Sequence, residues 1–124
     1  MLRVLAATIP EPPARFILYF PEGSTTITAA SEPTRDALFA EIKRRGAGVA
    51  VQIEGHTDRV VDAADNVRLS KSRADAARVM LVGLGLDTDI ARTVGRGERA
   101  PLPGHATADN MEDPANRRVE VVVR

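Results

Sequence analysis

Val49-Ala50-Val51-Gln52-Ile53-Glu54, running directly into Gly55-His56-Thr57-Asp58, is the stretch from which the fold is read. Strict alternation puts Val49, Val51 and Ile53 on one face and Gln52 and Glu54 on the other, the signature of a strand with one buried side. A loop from Gly55 to about Asp65 leads into a helix, because Leu69, Ala76, Ala77, Met80, Leu81 and Leu84 recur at helical spacing until Gly85. Asp58 therefore lies just past the carboxyl end of a strand, where open sheets flanked by helices bind ligands.

Outward from this unit, Arg15 to Phe20 is aromatic and β-branched, with Phe16, Leu18 and Phe20 on one face, and Pro21 to Gly23 ends it. Ser31 is placed to cap a helix over about residues 32–45, with Pro33 in the first turn, Leu38, Phe39 and Ile42 as the apolar stripe and Gly46 as the stop. Ile90 to Val94 reads as a short third strand, and Arg118 to Arg124 as the last, with Val119, Val121 and Val123 alternating. Between these two lies a polar loop over roughly residues 95–117, rich in Gly and Pro. The order is β-α-β-α-β-β: an α+β domain, an α/β sandwich with helices on one face of a mixed sheet. The crossovers imply parallel neighbours, whereas the last strand, reached without a helix, is placed to run antiparallel. Residues 1–14, with Pro10, Pro12 and Pro13, read as an extended lead-in or linker, a tail or the cut end of a longer protein, and residues 15–124 as the domain.

Composition narrows the function. The chain has 124 residues, the size of one domain, and its 17 Lys and Arg balance 17 Asp and Glu, so no basic excess draws it to nucleic acid or anionic lipid. Cysteine is absent, which removes disulfides and thiolate metal sites. No stretch reaches the roughly 18 apolar residues of a membrane-spanning helix, so direct membrane insertion by this segment is not expected. Neither a nucleophile elbow nor a nucleophilic Cys is present, and no cofactor is implied. Gly95-Arg96-Gly97-Glu98 lacks the third glycine and the following helix of a dinucleotide fingerprint.

Two groups stand out. Asn66, Ser70 and Arg73 share one helical face, which turns Arg73 toward the loop carrying Asp58. From spacing alone, Asp58 and Arg73 read first as a salt bridge pinning loop to helix. The second reading is a carboxylate and a guanidinium able to grip a zwitterion. His56 and Asp58 have the spacing of metal ligands, with His105 a distant third, but a bracing hydrogen bond from His56 is the simpler role. Alternation sends Arg117 and Arg118 to opposite faces, Arg117 with Val119 and Arg118 with Glu120.

Gly55-His56-Thr57-Asp58, Asn66, Leu69-Ser70, Arg73-Ala74, Gly95-x-Gly97-Glu98, Pro101 and Asn116-Arg117-Arg118-Val119-Glu120, in this order and at these spacings, resemble the OmpA-like peptidoglycan-binding domain over about residues 15–124. The Phe20 to Ile27 segment, with Ser24, looks like the family's first strand and turn. The resemblance implies a periplasmic, cell-wall-facing domain, not an enzyme, that binds the stem peptide of peptidoglycan through meso-diaminopimelate. Family roles carried over give Asp58 the ammonium and Arg73 the carboxylate at the end of the diaminopimelate side chain. Thr57 and Asn66 become neighbouring polar contacts, and Arg118 a further donor. The chain departs from the family pattern at Val61, where many members have Gly, and at Pro21-Glu22-Gly23, which replaces an aspartate-bearing turn. Two other classes remain as alternatives: an envelope protein-interaction module without wall binding, and a metal-dependent hydrolase on His56, Asp58 and His105.

Overall fold

The computed structural model describes residues 11–46, 48–58, 63–87, 91–97 and 113–124. Four strands, β1 (Ala14–Tyr19), β2 (Val51–His56), β3 (Ala91–Gly97) and β4 (Arg118–Val123), form one sheet in the order β1-β4-β2-β3. Two helices, α1 (Glu32–Arg45) and α2 (Ala63–Gly83), complete the mixed α+β architecture. β4 pairs antiparallel with both β1 and β2, while β2 and β3 run parallel. β1 and β2 are thus parallel strands with β4 inserted between them. The last strand satisfies the backbone donors of two neighbours at once.

The alternation seen in the sequence becomes the core. Leu18, Phe20, Leu38, Ile42, Val51, Ile53, Ala74, Ala77, Leu81, Val119, Val121 and Val123 pack as one buried cluster, with Phe16, Val49 and Met80 against it. Burying a Val or Leu side chain contributes about 1.5–3 kcal/mol, so the three β4 valines alone weigh heavily in a domain of this size. Leu84, expected on the apolar stripe, is instead 44% exposed. It lies beyond the end of α2, where the chain turns through Gly85 (φ 116°).

Several boundaries move for physical reasons. α1 begins and ends as expected, but Ser31 does not cap it with its side chain. Its Oγ instead accepts hydrogen bonds from Tyr19 N at 2.9 Å and Thr28 Oγ1 at 3.0 Å, tying the helix start to β1. α2 begins at Ala63 rather than near Asn66. β3 runs from Ala91 to Gly97, so Gly95 and Gly97 are strand residues and not the start of a loop.

These glycines admit α2. A Cβ on Gly55 would lie 1.8 Å from the Ser70 carbonyl oxygen, and one on Gly95 would lie 2.7 Å from Lys71 N. The amino-terminal half of α2 therefore rests directly on the β2 and β3 backbones, and Ser70 Oγ accepts a bond from Gly97 N at 2.8 Å. The Gly-x-Gly spacing serves close helix-to-sheet contact, not a phosphate. Glu98, Pro101, Val61 and His105, all weighed in the sequence, lie outside the described residues, as does most of the expected 95–117 loop.

Candidate functional site

β2 and α2 deliver the candidate residues to one place. Thr57 N extends the parallel ladder by donating to Gly97 O at 2.9 Å, and Asn66 Nδ2, in the first turns of α2, donates to Asp58 O at 3.0 Å. The strand end and helix start are so joined that Asp58 is fixed from both sides. Thr57, Asp58, Asn66, Ser70 and Arg73 are all buried, between 0% and 5% exposed.

Arg73 and Asp58 form no direct ion pair, contrary to the simplest reading of their spacing. Arg73 donates to three main-chain carbonyls from two segments: Nε to Ser24 O at 2.9 Å, Nη1 to His56 O at 3.1 Å and Nη2 to Pro21 O at 3.1 Å. Its guanidinium also stacks over Phe20, 5.3 Å from the ring centroid. Three of five N–H donors are thereby used, and both Nη atoms retain one. Burial pushes the Arg73 pKa down to about 10, with Asp58 opposing the shift and Arg117 adding to it. Among the described residues this is a buried cation surrounded by neutral oxygens, without a carboxylate in contact.

Asp58 finds a different arginine. Its Oδ2 accepts from Arg117 Nη1 at 3.0 Å and from Asp113 N at 3.4 Å. Arg117 Nε donates to Phe20 O at 3.3 Å, so the residue spans the end of β1 and the end of β2. Arg118 turns to the other side of β4, where Nη2 and Nε meet Glu120 Oε2 at 2.5 and 2.8 Å and Nη1 meets Asn116 Oδ1 at 3.3 Å. The two arginines do face opposite ways, as alternation requires, and it is Arg117 that meets Asp58. The sequence gives no reason to place Asp113 at the site, and of the two neighbouring arginines it points to Arg118 rather than Arg117. The alternation at Arg117-Arg118 was the available signal, but it does not say which face holds the site. Ser24 reaches Arg73 through its main-chain oxygen, while its hydroxyl closes a local turn with Thr26.

His56 belongs to the opposite face. Its ring is buried, both ring nitrogens lack a hydrogen-bond partner, and Nε2 lies 3.6 Å from Glu120 and 3.7 Å from Glu54. Burial, aided by Arg118, pushes its pKa down to about 4 against the opposing pull of Glu120 and Glu54. The expected bracing bond from its ring is replaced by one to its carbonyl, from Arg73. His56 and Asp58 side chains thus meet different partners and do not converge as metal ligands, and His105 lies outside the described residues. Thr57 Oγ1 is buried without a partner beside Asp58. A row Arg73, Asp58, Arg117, two positive charges and one negative, with an unpartnered hydroxyl next to it, is suited to an anion that also carries a donor for Asp58.

No helix among the described residues is long and apolar enough to cross a membrane. The chain is 32% identical over 113 residues to outer membrane protein P5 of Haemophilus influenzae, a match covering 84% of this chain and 31% of that protein. It thus spans about a third of that relative's length. Among solved structures, it shares its fold with the peptidoglycan-associated lipoprotein from Burkholderia pseudomallei (TM-score 0.77, 23% identity, covering 88% of this chain and 90% of that one). It shares it also with the cell wall anchor of the T6SS from Pseudomonas aeruginosa (TM-score 0.67, 21% identity, covering 90% and 80%). The proteins it matches carry envelope names. Residues 19–117 match the OmpA family, and the chain belongs to it.

Proposed function

We propose that this domain binds peptidoglycan non-covalently through the diaminopimelate of the stem peptide, anchoring a parent envelope protein to the cell wall from the periplasm. The observation that carries this reading is the buried Arg73 guanidinium, which has two donors left and no carboxylate in contact, beside Asp58. The side-chain end of diaminopimelate supplies the missing anion together with an ammonium. Its carboxylate takes the free Arg73 donors by charge-assisted bonds, and its ammonium takes Asp58 Oδ1. Thr57 Oγ1 is the neighbouring polar contact, and Asn66 holds the Asp58 backbone. Arg118 lies with Glu120 and Asn116, and its contribution is to hold the start of β4. The names of the relatives, a peptidoglycan-associated lipoprotein and a cell wall anchor, support the same ligand class.

A stem lysine has the ammonium without the second carboxylate. It would leave Arg73 desolvated and unpaired, a penalty of about 1–3 kcal/mol. Walls built on diaminopimelate should be preferred accordingly.

The alternative, an interaction module in which these residues are structural, is favoured by one observation: Arg73 already ties Pro21, Ser24 and His56 together. Co-sedimentation with purified peptidoglycan separates the two. Wild type should pellet with the wall, and a folded Asp58→Asn variant should stay in the supernatant. Retention of neither would leave the domain without this function, and equal retention of both would keep wall binding but take it away from Asp58 and the diaminopimelate end.

A further inference from the structure

Arg117 touches the site without belonging to the zwitterion clamp. It precedes β4, its side chain is 14% exposed, and three contacts fix it: Nη1 to Asp58 Oδ2 at 3.0 Å, Nε to Phe20 O at 3.3 Å, and its own carbonyl accepting from Phe20 N at 2.8 Å. Phe20 in turn carries the Arg73 guanidinium on its ring. The two arginines are thus mounted on one residue and act on one carboxylate from two directions.

We propose that Arg117 is a positioning residue that sets ligand specificity: it holds Asp58 by Oδ2, leaves Oδ1 for the ammonium, and adds a second positive charge that only a carboxylate-bearing ligand can offset. The inference rests on the diaminopimelate reading. With Arg73 alone, Asp58 would neutralise the site, and an ammonium without a carboxylate would meet little net repulsion. With Arg117 present, an incoming lysine-type ammonium enters a row already carrying one surplus positive charge, in a buried setting where screening is weak. A diaminopimelate-type end brings its own carboxylate and meets no such penalty. Arg117 also prevents Asp58 from rotating toward Arg73, because its Oδ2 has a fixed partner, so the two halves of the clamp stay apart and ready.

The test is calorimetric titration of the whole 124-residue chain with two stem tetrapeptides differing only in diaminopimelate or lysine at the third position. Arg117→Gln and Arg117→Met remove the charge, Arg117→Lys keeps it, and circular dichroism and thermal melting report folding. In wild type, diaminopimelate should be favoured by about tenfold or more, the worth of one charge-assisted bond. The neutral variants should lower that ratio by about threefold or more, the remainder being the share of Arg73, and Arg117→Lys should retain it even where absolute affinity falls. An unchanged ratio in a folded neutral variant, or a ratio lost equally in Arg117→Lys, overturns the role of Arg117 while leaving the function intact. No binding of either peptide by wild type overturns the function and this inference together.

Discussion

Acid should weaken this fold through His56. Its side chain is 3% exposed, the ring without a hydrogen bond, on the polar face of β2 beside Glu54, Glu120 and Arg118. Burial dominates and holds its pKa at about 4, against 6.5 for an unburied histidine. Between these values the unfolded chain binds the proton that the folded chain refuses. The stabilisation is therefore complete above about pH 6.5 and is lost as pH falls toward 4. At about 1.4 kcal/mol per pH unit, the interval from 6.5 to 4 removes roughly 3 kcal/mol, a large share of a stability expected at about 5–15 kcal/mol. Urea unfolding of wild type and His56→Gln at half-unit steps from pH 7.5 to 4.5 isolates the effect, since Gln cannot titrate. The two stability curves should run parallel above pH 6.5 and cease to be parallel below it, with wild type falling the more steeply. Parallel curves over the whole range would refute the assignment of this histidine as buried and neutral.

Other consequences follow from packing and pairing. Gly55→Ala places a methyl 1.8 Å from a main-chain oxygen of α2, so the helix must lift; a loss of about 3 kcal/mol or more is expected by chemical denaturation. Because Arg73 rides on that helix, wall binding should fall with it. Arg118→Leu leaves buried Glu120, among the described residues, with the largely exposed Arg15 at 3.1 Å and the buried His56 ring at 3.6 Å, and should cost about 3 kcal/mol, the low end for a broken buried pair. Glu11→Gln, by contrast, removes an exposed partner of Arg44 and should leave the thermal midpoint unchanged.

The elements most legible in the sequence are those whose reasons are local. Pro33 and Gly46 bracket α1, and the alternating valines of β4 name their own buried face. What escaped depends on contacts between distant segments. Gly95 and Gly97 look like loop residues until α2 is laid across them, because a missing side chain signals a turn and a close approach equally well. Asp58, Arg73, Asn66 and Thr57 could be placed near one another from strand end and helix face, and the structure brings them together. That Asp58 pairs with Arg117 could not be read the same way. It requires β4 to lie between β1 and β2, so that the residue before its first pair stands between Phe20 and Asp58. Nor does a helical repeat reveal that Arg73 spends three donors on carbonyls of the chain, since those carbonyls come from loops and strand ends.

In the proposed complex, Asp58 and Arg73 receive the charged end of diaminopimelate. Calorimetric titration of the diaminopimelate tetrapeptide into wild type, Asp58→Asn and Arg73→Lys, each shown folded by circular dichroism, tests it most directly. Saturable one-to-one binding by wild type, weakened at least about tenfold in both variants, is the predicted result. Equal affinity in wild type and in either folded variant would contradict it.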